Sequence, residues 1–103
     1  MNRKLVVFVP REALDVVRDA IFAAGGGRIG RYERCSWYTE GTGTFVPGDG
    51  TSPAIGEHGV ESRVPECRLE TVIPAERQAD VVAAVLDAHP YEEPAYEVYE
   101  LLS

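Results

Sequence analysis

Twice in this chain an apolar run ends in a proline and gives way to an amphipathic helix, and that repetition restricts the fold more than any other feature. Leu5 to Val9 is continuously apolar and is closed by Pro10, and Glu66 to Ile73 is an alternating run closed by Pro74. An unbroken apolar run suits a central strand covered on both faces. Cys67, Leu69, Thr71 and Ile73, set against Arg68, Glu70 and Val72, describe a half-buried strand. After Pro10, Leu14, Val17, Ile21 and Ala24 recur at three- and four-residue intervals, with Arg11, Glu12, Asp15, Arg18 and Asp19 elsewhere on the wheel. This spacing predicts a helix from Arg11 to Ala24, stopped by Gly25 to Gly27. After Pro74, the stripe Ala75, Ala79, Val82 and Leu86, with Val85 beside it, predicts a second helix that runs into His89-Pro90.

Each helix leads to an aromatic strand. Arg31 to Thr39, rich in Tyr, Trp and Thr, is one, and Tyr96 to Leu102 is the other. Gly41-Thr42-Gly43 reads as a tight turn into a short return strand, Thr44 to Val46. The two halves are therefore one duplicated β-α-β unit. Interleaved, two such units make an α+β, ferredoxin-like βαββαβ fold: a four-stranded antiparallel sheet with both helices on one face. Either Leu5, Val7 and Val9 or their alternates face the helices, and full burial of Phe8 would make Phe8→Ala cost about 3–5 kcal/mol. The other sheet face stays uncovered. Trp37, Val72 and Tyr99 add to its apolar surface, so self-association is expected. Pro47 to Pro65 has Gly, Pro, Ser and Asp in place of periodicity, and a loop of that length in a small domain is usually functional or mobile.

The 103 residues suit a single domain, 1–103, with its long loop at 47–65. A net charge of −7 argues against sequence-independent binding to nucleic acid. No apolar run approaches the roughly 20 residues of a membrane helix. Met1-Asn2-Arg3-Lys4 leads straight into a strand-like run, so a cytoplasmic location is expected. Cys35 and Cys67, outside any CxxC pair, are expected to be reduced and buried.

The motifs carry weaker chemistry. Gly25-x-Gly27-x-x-Gly30 has the spacing of a dinucleotide fingerprint, but it follows a helix and precedes a strand, so the helix dipole would repel phosphate there. Its structural reading is a C-cap. Its functional reading is close approach of a ligand to bare backbone at Gly27 and Gly30, beside Arg28, with Tyr32 and Tyr91 as further candidate ligand-binding residues. His89, Glu92 and Glu93 are candidate ligands of a divalent metal, since imidazole and carboxylate are common donors. The local alternative is that Pro90 and Pro94 fix the backbone, His89 caps the helix end and the glutamates are solvated. His58, with Cys35, Cys67 and acidic residues, is a second combination without ligand spacing. Tyr32, Trp37 and Tyr38 are candidates for stacking on a planar ligand, though such aromatics usually serve core or interface. Ser36, Ser52 and Ser62 lie in no nucleophile-elbow pattern, Cys35 has no evident base, and no catalytic residue is nominated.

Three separated motifs resemble the YqfO family: GGGRIGRYERCSWYTEGTGTFVPGDG from Gly25 to Gly50, Ile55-Gly56-Glu57, and AHPYEEPAYEVYEL ending at Leu101. The resemblance is to the small domain that stands alone in some bacteria and is an insert within a larger, metal-binding hydrolase-like protein in others. It implies a fold like that of the PII and CutA proteins and a trimer with sheets packed around the threefold axis. The resemblance implies that the longer relatives build their paired-metal site from flanking domains outside the stretch matched here, so no hydrolase role is expected of these residues. The expected function is a small oligomeric ligand-binding or regulatory module, with the 47–65 loop as a contact surface for a partner or small molecule. A divalent metal-binding protein of CutA-like type and an enzyme with an inter-subunit site are the alternatives.

Overall fold

The structure, a computed structural model, describes residues 1–102. Strand β1 (Asn2–Pro10) leads into helix α1 (Leu14–Ala23), then β2 (Trp37–Phe45), β3 (Ser62–Pro74), α2 (Gln78–Ala88) and β4 (Tyr96–Glu100). The sheet order is β2-β3-β1-β4, and every neighbouring pair is antiparallel. This is the ferredoxin-like α+β arrangement expected from the duplicated pattern.

The duplication extends to the joints. Both prolines pass into a single 3-10 turn, Arg11–Ala13 and Ala75–Arg77, before the α-helix begins. Ala13 and Arg77 hold nearly the same backbone conformation there, φ −100° and −103° with ψ 0° and 1°. At the far end of α1, Gly25 N–H donates to the Phe22 carbonyl and Gly26 N–H to the Ile21 carbonyl, with Gly25 at φ 109°. Those two bonds form a Schellman C-cap, which satisfies helix carbonyls that would otherwise lack partners.

Side chains on directly paired residues share a face of the sheet. Leu5, Val7 and Val9 pair with Thr71, Leu69 and Cys67. They form the core with Leu14, Val17 and Ile21 of α1 and Val81 and Val85 of α2. The register thus settles the choice in β1: Phe8 lies on the open face, only half-buried, and is not a core residue. The α1 stripe is as expected, but the α2 stripe is not. Val81, Val85 and Ala88 pack into the core, while Leu86 is 47% exposed. From Ala79 to Leu86 only Asp80 is polar, so periodicity alone does not define a face, and docking on α1 and β3 selects one.

The β2–β3 region also departs from expectation. Gly41-Thr42-Gly43 is no turn: β2 runs unbroken through it, with Gly41 opposite Glu66 and Gly43 opposite Val64. Residues 31–36 lie ahead of the strand, and only an isolated bridge joins Ile29 and Tyr32. β3 starts at Ser62 and contains Pro65, because β1 pairs with β3 only from Glu66 onward. A proline is tolerated where its strand has a neighbour on one side only. The β2–β3 ribbon therefore projects past the end of β1 and carries the remaining loop, 46–61, at its tip.

On the open face Val6 is buried at 1% exposure, whereas Trp37 and Tyr99 are 59% and 46% exposed. Arg68 lies over the Phe8 ring and bonds Glu70. Among the described residues no helix is long and apolar enough to cross a membrane.

Candidate functional site

The site lies where the projecting ribbon leaves the sheet. There the 46–61 loop folds back over the open face and meets the turn between α2 and β4. The loop is held by its own bonds: Gly59 N–H donates to the Pro47 carbonyl at 2.8 Å, Thr51 Oγ1 to the Gly48 carbonyl at 2.7 Å, and His58 Nε2 bonds the Thr51 carbonyl at 2.7 Å. One bond ties it to the turn, from Ser52 N–H to Glu92 Oε2 at 3.1 Å.

Between loop and turn is a cavity of about 300 Å³. Phe8 and Glu66 of the sheet contribute to it, with Phe45 and Ile55 on the ribbon side and Tyr91, Glu92, Glu93 and Ala95 on the turn side. Tyr91 crosses the space to donate its hydroxyl to Glu66 Oε2 at 2.9 Å, and its ring meets Phe45 at a tilt, centroids 5.9 Å apart. Burial, and then the Glu66 carboxylate it bonds, push the Tyr91 phenol above the ordinary tyrosine range. Gly43 serves this arrangement, because a Cβ there would overlap the Glu66 carboxylate.

His89 fixes the turn. It is 5% exposed, its Nε2 bonds the Phe8 carbonyl at 2.8 Å, and its Nδ1 accepts the Tyr91 N–H at 3.1 Å. An Nδ1 that accepts makes Nε2–H the donor, which defines the neutral tautomer. Burial lowers the His89 pKa in the same sense. Both ring nitrogens thus have backbone partners. Glu92 bonds the loop and Glu93 is exposed at the cavity rim. The expected contact of His89 with its own helix end is replaced by this bond to β1. Among the described residues no three His, Cys, Asp or Glu side chains are grouped to hold a metal ion.

The other sequence candidates lie elsewhere. Gly27 N–H donates to the Val72 carbonyl at 2.8 Å, toward the opposite end of the strands from Phe8 and Glu66. Gly27 is buried at φ 82°, and a Cβ there would stand 2.6 Å from the Phe22 ring. Arg28, Gly30 and Tyr32 are exposed, with Arg28 3.9 Å from Glu33 and open space around Gly30. The five candidate ligand residues are therefore split, with Tyr91 apart from the other four. Trp37 belongs to the open sheet face. Tyr38 lies on the helix side, where Arg18 approaches its ring at 5.8 Å. Cys35 is half-buried and Cys67 buried, both as free thiols. Burial, with Glu40 adding, pushes the Cys67 thiol up, which keeps it protonated and unreactive. Sequence reasoning missed Glu66, Phe45 and Gly43, because it placed a turn at 41–43 and thereby separated them from Tyr91.

The comparisons with known proteins agree with this fold. No family model matches the chain. The solved CutA of Archaeoglobus fulgidus, a periplasmic divalent cation tolerance protein, superposes with a TM-score of 0.72 at 13% identity, over 100% of this chain and 86% of that one. Bacillus subtilis GlnK does so at 0.64 and 10% identity, over 98% and 85%. The fold is therefore that of the PII/CutA-like class of ferredoxin-like domains. Sequence relationship narrows the class further. The chain is 52% identical over 99 residues to the GTP cyclohydrolase 1 type 2 homolog of Mycobacterium tuberculosis, a match spanning 96% of this chain and 26% of that protein. A Bacillus cereus protein related to NIF3 superposes with a TM-score of 0.85 at 48% identity, over 99% of this chain and 26% of that one. The chain is thus similar, along nearly its whole length, to one segment of these YqfO/NIF3 family proteins, and it spans about a quarter of the length of the curated relatives it matches.

Proposed function

We propose that this protein is a small homo-oligomeric binding module whose ligand site is the cavity between the 46–61 loop and the Tyr91–Ala95 turn. The observation that carries the reading is the cavity itself: about 300 Å³, walled by aromatic and aliphatic side chains, with a few polar groups aimed into it. That combination is typical of small-molecule sites. The enclosing loop is irregular backbone on a rigid sheet, the usual place for binding residues. Self-association is supported by Trp37 and Tyr99, which stand exposed on the open sheet face among Lys4, Arg68, Glu70 and Glu97. Three copies packed through that face would bring the rim of each cavity, at Phe8 and Glu66, close to a neighbouring chain. This extends to the present chain the trimeric assembly that the resemblance implies.

The test is a small-molecule screen by protein NMR on the wild-type protein and on Ala54→Trp, which fills the cavity from the loop. Compounds that shift amides of 44–55 and 91–95 in the wild type, and lose that effect in Ala54→Trp, are the expected result. A screen that moves resonances only outside these segments overturns the reading.

A further inference from the structure

We infer that the cavity selects an organic cation with an apolar body, an amine or guanidinium group carried on a small hydrocarbon skeleton. The inference rests on the binding reading above and adds the charge and shape of the occupant. Three carboxylates, Glu66, Glu92 and Glu93, line the cavity, and no Lys, Arg or His is among the lining residues. An anion entering would meet these carboxylates with no cation among the lining residues to offset its lost hydration. The whole chain, at net charge −7, repels it as well.

The aromatic lining favours the same sign. Phe8, Phe45 and Tyr91 are among the lining residues, and a cation within about 6 Å of an aromatic face is attracted by the ring quadrupole. The protein uses this contact itself, with the Arg68 guanidinium 5.7 Å from the Phe8 centroid. Arg68 is already bonded to Glu70 at 3.2 Å, so it does not neutralise the cavity carboxylates. Glu66 offers one oxygen to Tyr91, and its second accepts no hydrogen bond among the described residues. A bare metal ion is a poorer fit than an organic cation. It needs several donors converging at short range, and no such group of acidic side chains is present among the described residues. The carboxylates are spread around an apolar space, which suits a ligand that carries its charge at one end and hydrocarbon at the other.

A matched set of probes tests this: 4-phenylbutylamine, 4-phenylbutanol and 4-phenylbutyrate, titrated into the wild-type protein and followed by NMR. The amine is expected to shift amides near residues 45, 66 and 91–95 and to bind roughly tenfold more tightly than the alcohol, with the carboxylate weakest. Glu66→Gln keeps an acceptor for the Tyr91 hydroxyl and is expected to weaken the amine roughly tenfold while leaving the alcohol unchanged. Exposed Glu93→Gln gives the same test without touching the Tyr91 bond and is expected to act in the same direction. Equal binding of amine and alcohol, or insensitivity of the amine to both variants, overturns the cation inference and leaves the binding cavity standing. No shift at these positions with any of the three probes overturns the cavity reading along with it.

Discussion

The Tyr91 hydroxyl donates to Glu66 Oε2 at 2.9 Å, joining residues 25 apart in sequence and tying the turn after α2 to the sheet. Because burial and the Glu66 carboxylate raise the Tyr91 pKa, the folded state keeps this proton when the unfolded chain has lost it. The stability it contributes is fully present below the unfolded tyrosine value near pH 10, and it is lost as pH rises through the higher folded value. Tyr91→Phe should therefore flatten the alkaline loss of stability in denaturant titrations from about pH 10 upward. An unchanged slope would mean that Tyr91 is not held by Glu66.

His89 has the opposite sign. Its pKa is lowered, first by burial, so the unfolded state binds a proton more readily. Its contribution is present above the unfolded histidine value near pH 6.5 and is lost as pH falls through the folded value. His89→Ala strips partners from the Phe8 carbonyl and the Tyr91 N–H, and should cost about 1–3 kcal/mol at pH 7. Urea unfolding at pH 5 and pH 7 checks both statements: the wild type weakens on acidification, and the variant loses less over the same interval.

Two glycines of one motif are expected to behave differently. Gly27→Ala places a Cβ 2.6 Å from the Phe22 ring at φ 82°, so it should destabilise by roughly 2–4 kcal/mol through overpacking and backbone strain together. Gly30→Ala, at φ 58° in open space, should cost only about 1–2 kcal/mol. Thermal unfolding of the two variants measures the difference. Equal losses would contradict the close packing of Gly27 against the Phe22 ring.

Phe8 and Ile21 separate the two faces of the sheet. Ile21→Ala removes a fully buried core side chain and should cost about 2–5 kcal/mol. Phe8→Ala truncates a half-buried ring on the open face and should cost about 1–2 kcal/mol. Equilibrium denaturation of both proteins gives the ranking.

The elements that were legible in the sequence are those whose burial follows a clear period. The α1 stripe Leu14, Val17 and Ile21 and the alternation of Cys67, Leu69, Thr71 and Ile73 each gave the correct inward face. The apolar β1 run gave its central position in the sheet but not its facing, since Leu5–Val9 has no polar member to mark a side. α2 misled for the same reason, its residues being apolar nearly all round. In β2, Gly41 and Gly43 carry turn chemistry locally, yet the strand passes through them because antiparallel pairing with β3 outweighs that preference. The site inherited this error. Tyr91, Glu92 and Glu93 were visible as a polar cluster between prolines, but Glu66 and Phe45 reach them only through long-range pairing that no local spacing reveals.

Oligomeric state tests the central claim of a homo-oligomeric module most directly, because Trp37 and Tyr99 stand exposed on the open sheet face. Native mass spectrometry of the intact protein is expected to show a species of three times the 11.3 kDa chain mass. Trp37→Glu, which replaces that exposed ring with a charge, is expected to shift it toward the single chain. A wild-type protein that remains a single chain at every concentration would contradict the account of the sheet face and leave the cavity to a site within one chain.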